Sequence, residues 1–305
     1  MSYTQNIKNE IANNFYGTSE SLSELSAIVN YSSIIYENYF VISTENLSVA
    51  RRIYKLVKNL YHIDIDMDSD NINNLNKSRI IEIKIVQKND LILKDLSIIK
   101  EDERNYVPDN FIIDNDEDKH AYLRGAFLVC GSINDPKTSR YHLEFVISNK
   151  KSAYFLNDLL LELNFNSKVL KREKKYMVYI KESEKISDFI KLLNAYNNLF
   201  YFEDIRIYRD HKNMTNRLNN CEQANVEKII NSSNEQLKLI EKLKKVKDFD
   251  LLDDKIKEIC IYREKYKDSS LSELAEIITY ETGNKITKSG INHRFRKIKE
   301  LLKDE

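Results

Sequence analysis

Tryptophan is absent from this 305-residue chain, cysteine occurs three times, and no apolar run approaches the length of a bilayer span. Two of these absences narrow the reading. Cys130, Cys221 and Cys260 are an odd, widely spaced set, which gives neither a disulfide framework nor a zinc site and suits a reducing cytoplasm. Without about 20 consecutive apolar residues, no transmembrane helix is expected. The first ten residues, MSYTQNIKNE, lack the basic region and apolar core that mark export. The missing tryptophan accompanies abundant Ile, Asn, Lys and Tyr, which fits AT-rich coding and carries no functional meaning. Net charge is missing too, with 48 Lys and Arg against 48 Asp and Glu.

What is present describes a folded protein. Hydrophobic residues make up 42% and charged residues 31%, a globular rather than disordered balance. The length suggests two or three domains. The zero net charge hides a polarity. Residues 1–119 hold 13 cationic and 20 anionic side chains, residues 120–220 hold 17 and 11, and residues 221–305 hold 18 and 17. A polyanion would therefore meet the second and third parts more readily than the first.

One stretch organises the rest: Tyr122–Asn134, YLRGAFLVCGSIN. It starts as an apolar helix with Gly125 and Ala126 inside it and is expected to end in a turn at Gly131–Ser132. Glycine inside a helix costs about 1 kcal/mol against alanine, so its place here implies close approach of another backbone. A weaker copy lies at Glu24–Ile34, ELSAIVNYSSI. Packed on each other at their small faces, the two helices would form the seam between two similar half-domains.

Other elements fall into matching order. In the first half, Ile7, Ile11 and Phe15 mark a short amphipathic helix, and Ser21 or Ser23 is placed to cap the helix carrying Leu25, Ile28 and Val29. A strand at Tyr39–Ser43 and a helix over Asn46–Leu60 follow. His62–Asp68 and Arg79–Gln87 alternate like half-buried strands around an Asn-rich turn at Ser69–Lys77, and Asp90–Lys100 closes as a helix. Residues 101–119 are acidic and polar. Asp114, Asp116 and Asp118 alternate there, but Lys119 and Gly125 stand where a calcium loop needs Gly and Glu. From residue 120 the order recurs: a strand at Tyr141–Ser148, a helix over Lys150–Leu163, strands Ser167–Lys171 and Lys175–Lys181, and a helix over Ser187–Leu193. Phe40–Ser43 and Phe145–Ser148 share the string FVIS, which supports an internal duplication.

Residues 203–247 are polar and helical, with an apolar stripe at Ala224, Ile229, Ile230, Leu237, Ile240 and Leu243. The tail resolves into helices over Leu252–Tyr266, Ser270–Ile278 and Thr287–Leu302, the second with a capping box at Ser270 and Glu273. Helix, turn and basic final helix form the helix-turn-helix pattern. Between Lys285 and Lys299 there are six cationic residues and no acidic one. Thr287, Lys288, Ser289, Asn292, His293, Arg294, Arg296 and Lys297 supply groups suited to base edges and phosphates of duplex DNA. Lys168, Lys171, Arg172, Lys174 and Lys175 cluster on a hairpin and fit phosphate contacts or a solvated surface equally. Arg206, Arg209, His211, Lys212 and Arg217 form a third basic group with the same two readings.

An enzyme would need a metal or a nucleophile. Carboxylates at the ends of the two seam helices would hold a divalent cation at a phosphodiester, but those ends carry Ser32 and Ser33, and Cys130 and Gly131. Asp135 follows the second end without a counterpart in the first half and reads as a turn residue. His120 and His142 read as structural.

With these residues in view, the sequence resembles the WhiA family of bacterial transcription regulators. LRGAFLVCGSINDP at Leu123–Pro136, NRLNNCEQANVEKI at Asn216–Ile229, LSELAEII at Leu271–Ile278 and ITKSGINHRFRKIKEL at Ile286–Leu301 carry the resemblance. It implies an α+β fold: a duplicated domain similar to LAGLIDADG homing endonucleases, with pseudo-twofold symmetry, followed by an all-α helix-turn-helix domain. The expected division is a first half over 1–100, an acidic linker over 101–119, a second half over 120–202, a helical bridge over 203–249 and the DNA-binding domain over 250–305. Aligned on the nucleases, the acidic metal ligands fall on Ser32 and Cys130, so no metal, cofactor or catalytic residue is expected. The resemblance implies sequence-specific transcription control linked to cell division, chromosome segregation and sporulation. It places the protein in the cytoplasm with the nucleoid, away from the membrane. A metal-dependent endonuclease, and a scaffold binding another transcription regulator or a small ligand, remain as alternatives.

Overall fold

The computed structural model describes residues 2–14, 17–68, 80–138 and 140–303. Two compact units emerge, Met1–Arg209 and Asp210–Glu305. Phe15 and the turn expected at Ser69–Lys77 lie outside the described residues.

In the first unit, α1 (Tyr3–Ala12) begins at Ser2, which exchanges hydrogen bonds with Gln5 in a reciprocal cap. It is followed by α2 (Thr18–Ser32), β1 (Ser33–Ile35), β2 (Phe40–Thr44), α3 (Leu47–Tyr61), β3 (Asp66–Asp68), β4 (Ile81–Ile85), α4 (Asn89–Asp95) and a two-residue ladder of β5 (Ile99–Lys100) with β6 (Glu103–Arg104). The cap expected from Ser21 or Ser23 is not used. Gly17 holds the cap position, and the Ser23 hydroxyl lies inside the protein, donating to the Ile112 carbonyl at 2.5 Å.

The second half repeats the plan with α5 (Asp116–Cys130), β7 (Gly131–Ile133), β8 (Leu143–Ile147), α6 (Lys150–Glu162), β9 (Lys168–Arg172), β10 (Lys175–Ile180) and α7 (Ser183–Leu192). The sheets share one antiparallel topology, β1-β2-β4-β3 and β7-β8-β10-β9. The duplication is therefore real, with α2 and α5 each 15 residues long. Gly131–Ser132 is not a turn: each seam helix runs straight into an edge strand, at Ser33 and at Gly131.

The shared FVIS string is not the structural equivalence. Asn46 caps α3 and Asn149 caps α6, each through its side-chain oxygen. Asn149 follows the second string directly, whereas Thr44 and Glu45 separate the first from Asn46. Ser33 pairs with Ile42 and Gly131 with Phe145, so the true repeat is displaced by two residues. A two-residue shift keeps every side chain on its face, which is why the string still matches in burial.

One hydrophobic core runs through both halves, joining Leu25 and Ile28 of α2 to Leu123 and Phe127 of α5 and to Ile42, Ile83, Phe145 and Val178 of the sheets. At the seam, a Cβ on Gly125 would lie 2.2 Å from the Glu24 carbonyl oxygen and 3.0 Å from the Ala27 Cβ. Only glycine permits that approach. The first unit ends in α8 (Tyr196–Val246), whose later residues belong to the second unit. Sequence patterning suggested a polar helical bridge over 203–249 here. One continuous helix forms because the span contains neither proline nor glycine, and Glu10 of α1 accepts from the Asn197 and Asn198 N–H groups at its start. No helix of the described residues is long and apolar enough to cross a membrane.

Candidate nucleic-acid interface

The second unit is completed by α9 (Asp254–Lys265), α10 (Leu271–Thr282) and α11 (Lys288–Leu301). Ile240 and Leu243 of α8, Ile256, Ile259 and Cys260 of α9, Leu274 and Ile278 of α10, and Ile291, Phe295 and Ile298 of α11 form its core. The lower part of the α8 stripe is thus buried, while Ala224 and Ile230 are exposed. The expected capping box is present: the Ser270 hydroxyl accepts from the Glu273 N–H, and the Glu273 carboxylate accepts from the Ser270 N–H. The turn between α10 and α11 is set by Gly283, in the left-handed region at φ 74°. The Thr279 hydroxyl supports it, accepting from the Ile286 N–H at 3.1 Å. Thr287 then caps α11, its hydroxyl accepting from the Gly290 N–H.

Burying Ile291, Phe295 and Ile298 turns the opposite face of α11 outward. Lys288, Ser289, His293 and Arg296 are exposed there, with Asn292 half-buried among them. These are positions i, i+1, i+4, i+5 and i+8, which share one helical face. Arg294 points elsewhere: its guanidinium donates to the Glu258 carboxylate at 2.5 Å and to the Lys255 carbonyl at 3.2 Å, binding α11 to α9. Lys297 lies 3.6 Å from Asp253, both partly exposed. The Lys255 N–H that Asp253 accepts and the nearby Lys297 hold its carboxyl below the usual range. Thr287 spends its hydroxyl on the cap.

In the first unit, Lys168, Lys171, Arg172, Lys174 and Lys175 are all exposed on the β9–β10 hairpin, with Glu173 at φ 47° in its turn. Pairing places Lys168 opposite Tyr179 and Arg172 opposite Lys175 on one face of the sheet, and Lys171 opposite Tyr176 on the other. Arg206 pairs with Glu203, and Arg209 donates to the Pro136 and Thr138 carbonyls, so these two are engaged within the unit. His142 hydrogen-bonds Glu144 at 3.0 Å and stacks on Tyr179. Burial lowers the pKa of His120. Asp135 accepts from the Lys137 N–H in its turn.

The ends of the seam helices hold no carboxylate. The Ser32 hydroxyl donates back to the Ile28 carbonyl at 2.6 Å, and the Cys130 thiol to the Ala126 carbonyl at 3.1 Å. Arg104 donates to the Asn30 and Ser33 carbonyls at the end of α2. Burial pushes the Cys130 thiol up to about 12, and it brings nearby Lys8 down to about 8. Among the described residues, no group of three or more His, Cys, Asp or Glu is placed to hold a metal.

Sequence reasoning missed the buried charge cluster beside Gly125. Glu24, fully buried, accepts from Arg52 Nε at 2.9 Å and Nη2 at 3.0 Å, and from Arg124 Nε at 2.8 Å. Arg124 lies on α5, so this triad ties the two halves together. The available signal was a charge, Glu24 or Arg124, beside the small-residue apolar stretch of each seam helix.

Residues 18–99 match the WhiA N-terminal LAGLIDADG-like domain, residues 119–212 the WhiA LAGLIDADG-like domain, and residues 215–302 the WhiA C-terminal HTH domain. The chain belongs to the WhiA family. A Bacillus mycoides relative (strain KBAB4), named probable cell division protein WhiA, is 40% identical over 308 residues, covering 99% of this chain and 96% of the relative. A Lactiplantibacillus plantarum relative of the same name is 36% identical over 305 residues, covering 99% and 97%. The crystal structure of full-length WhiA from Thermatoga maritima shares the fold, with a TM-score of 0.60 at 22% identity over 100% of this chain and 99% of that one.

Proposed function

We propose that the chain is a sequence-specific duplex-DNA-binding transcription regulator with no catalytic activity, acting in the cytoplasm at the nucleoid. One observation carries the reading: Lys288, Ser289, Asn292, His293 and Arg296 share an uncovered face at the start of α11. The second helix of such a pair enters the major groove by its N-terminal residues. Ser289, Asn292 and His293 are assigned to base edges, and Lys288, Arg296 and Lys297 to phosphates. Arg294 serves instead to hold α11 on α9. The hairpin cations Lys168, Arg172, Lys174 and Lys175 supply further phosphate contacts, with Lys171 on the far face. Ser32 and Cys130 stand where the resemblance to LAGLIDADG nucleases puts their metal-binding acids, which supports the non-catalytic reading. The relatives' name supports a role in cell division, and the family resemblance extends it to chromosome segregation and sporulation.

Selection of duplexes from a random pool by the full chain tests this. Wild type enriches one sequence. Ser289→Ala, Asn292→Ala and His293→Ala together abolish the enrichment, since each paired base contact discriminates by about 1–3 kcal/mol. Failure of wild type to enrich any sequence overturns the reading. Supercoiled plasmid incubated with the protein and magnesium stays intact; metal-dependent nicking contradicts the non-catalytic assignment.

A further inference from the structure

A cavity of about 250 Å³ in the second unit is lined by Lys228, Ser232, Arg263, Ser269, Ser270 and Lys288, among others. Arg263 is its unusual member. It is 1% exposed, yet no carboxylate pairs with it among the described residues. Its Nη1 donates to the Tyr266 and Ser269 carbonyls at 3.2 and 2.7 Å, while its Nε is buried without a hydrogen bond. Burying a cation without a counter-charge is costly, and a buried donor with no acceptor calls for a cause.

The same cavity receives the start of α10, a 12-residue helix. Its Ser270 cap satisfies the Glu273 N–H. The Leu271 and Ser272 N–H groups have no partner within the helix, and the dipole adds partial positive charge there. The Glu273 carboxylate accepts from the Ser270 N–H at 2.7 Å as part of the cap. Lys228 and Lys288 add two mobile cations at the wall. Positive charge of three kinds therefore converges on one small cavity: a buried guanidinium, a helix terminus and two flexible ammonium groups.

We infer that this cavity seats a phosphate group, specifically one backbone phosphate of the bound duplex. The assignment rests on the DNA-binding reading. Lys288 is both a wall of the cavity and the first residue of the exposed α11 face, so a phosphate held here lies beside the groove-reading residues. Helix N-termini and arginine forks are suited to such an anion. A seated phosphate anchors the first helix of the motif, α10, to the backbone while α11 reads the groove.

The test uses the full chain, wild type and Lys228→Gln, with the duplex recovered by selection. Lys228 is exposed and outside the core, so its replacement leaves the fold intact. Affinity is measured by anisotropy from low to high salt. In parallel, amide resonances of Leu271 and Ser272 are followed with inorganic phosphate against chloride at equal ionic strength. Lys228→Gln is expected to weaken binding severalfold and to lower the slope of log affinity against log salt by about one. Replacing single phosphates by neutral methylphosphonates should reveal one position at which wild type and variant become equal. Unchanged affinity and slope in the variant, with wild type binding well, overturn this inference and leave the DNA-binding reading standing. Amide shifts with inorganic phosphate in a protein that binds no duplex overturn both the backbone-phosphate assignment and the function it rests on.

Discussion

Gly125→Ala tests the seam with one methyl group. The new Cβ would sit 2.2 Å from the Glu24 carbonyl oxygen and 3.0 Å from its carbonyl carbon. Both atoms are backbone and cannot turn aside as a side chain would. The two helices must separate, and the Arg124–Glu24 contact at 2.8 Å lengthens with them. Overpacking of this kind costs about 3 kcal/mol at the upper end of its usual range. Alanine recovers about 1 kcal/mol of helix propensity, which leaves a net loss of about 2 kcal/mol. For a unit of this size each kcal/mol lowers the melting temperature by about 2–4 °C, so the first unit should melt roughly 4–8 °C lower. Scanning calorimetry of the full chain reads this, with the transition of the second unit as an internal reference. Melting of the first unit within about 1 °C of wild type would refute the close-packed seam.

Three other outcomes follow from the same structure. Glu24→Ala strips the carboxylate from Arg52 and Arg124, which are 5% and 1% exposed; removal of one partner from such a buried cluster costs about 3–5 kcal/mol, so the first unit should lose more than with Gly125→Ala, measured by urea titration. Gly283→Ala meets no atom within 4 Å but keeps φ 74°, so a loss of about 1–2 kcal/mol should appear in the second transition and leave the first unmoved. At pH 8 a thiol reagent should modify exposed Cys221 quickly in the native protein. Cys130, pushed up to about 12, and Cys260, pushed up to about 11 by burial, should react only on unfolding, because the thiolate is the nucleophile.

Much of the architecture was legible because it rests on periodicity. The apolar spacing of α3, the alternation around Ile83 and Phe145, and the glycine inside YLRGAFLVC each declare an environment in sequence alone. Other features depend on tertiary geometry. β1 and β7 are three residues each, too short to show alternation, so the helix-to-strand junction at Gly131 resembled a turn. The polar stretch 203–217 carries little apolar period, and its helix persists for want of a breaker. Charges in sequence read as solvated until their neighbours are known. Glu24 and Arg124 are 100 residues apart, and Arg294 belongs to a recognition-like basic run yet is spent on Glu258. For the same reason Arg263 gave no signal before its surroundings were seen. The basic α11 face was readable because Ile291, Phe295 and Ile298 fix which residues must turn outward.

The central claim is that the outward face of α11 reads duplex sequence. The direct measurement is a map of chromosomal DNA bound in cells by wild type and by the variant carrying Ser289→Ala, Asn292→Ala, His293→Ala and Arg296→Ala. Discrete sites for wild type that vanish in the variant, at equal protein abundance, are the expected result. Identical sites for the two proteins would contradict the account.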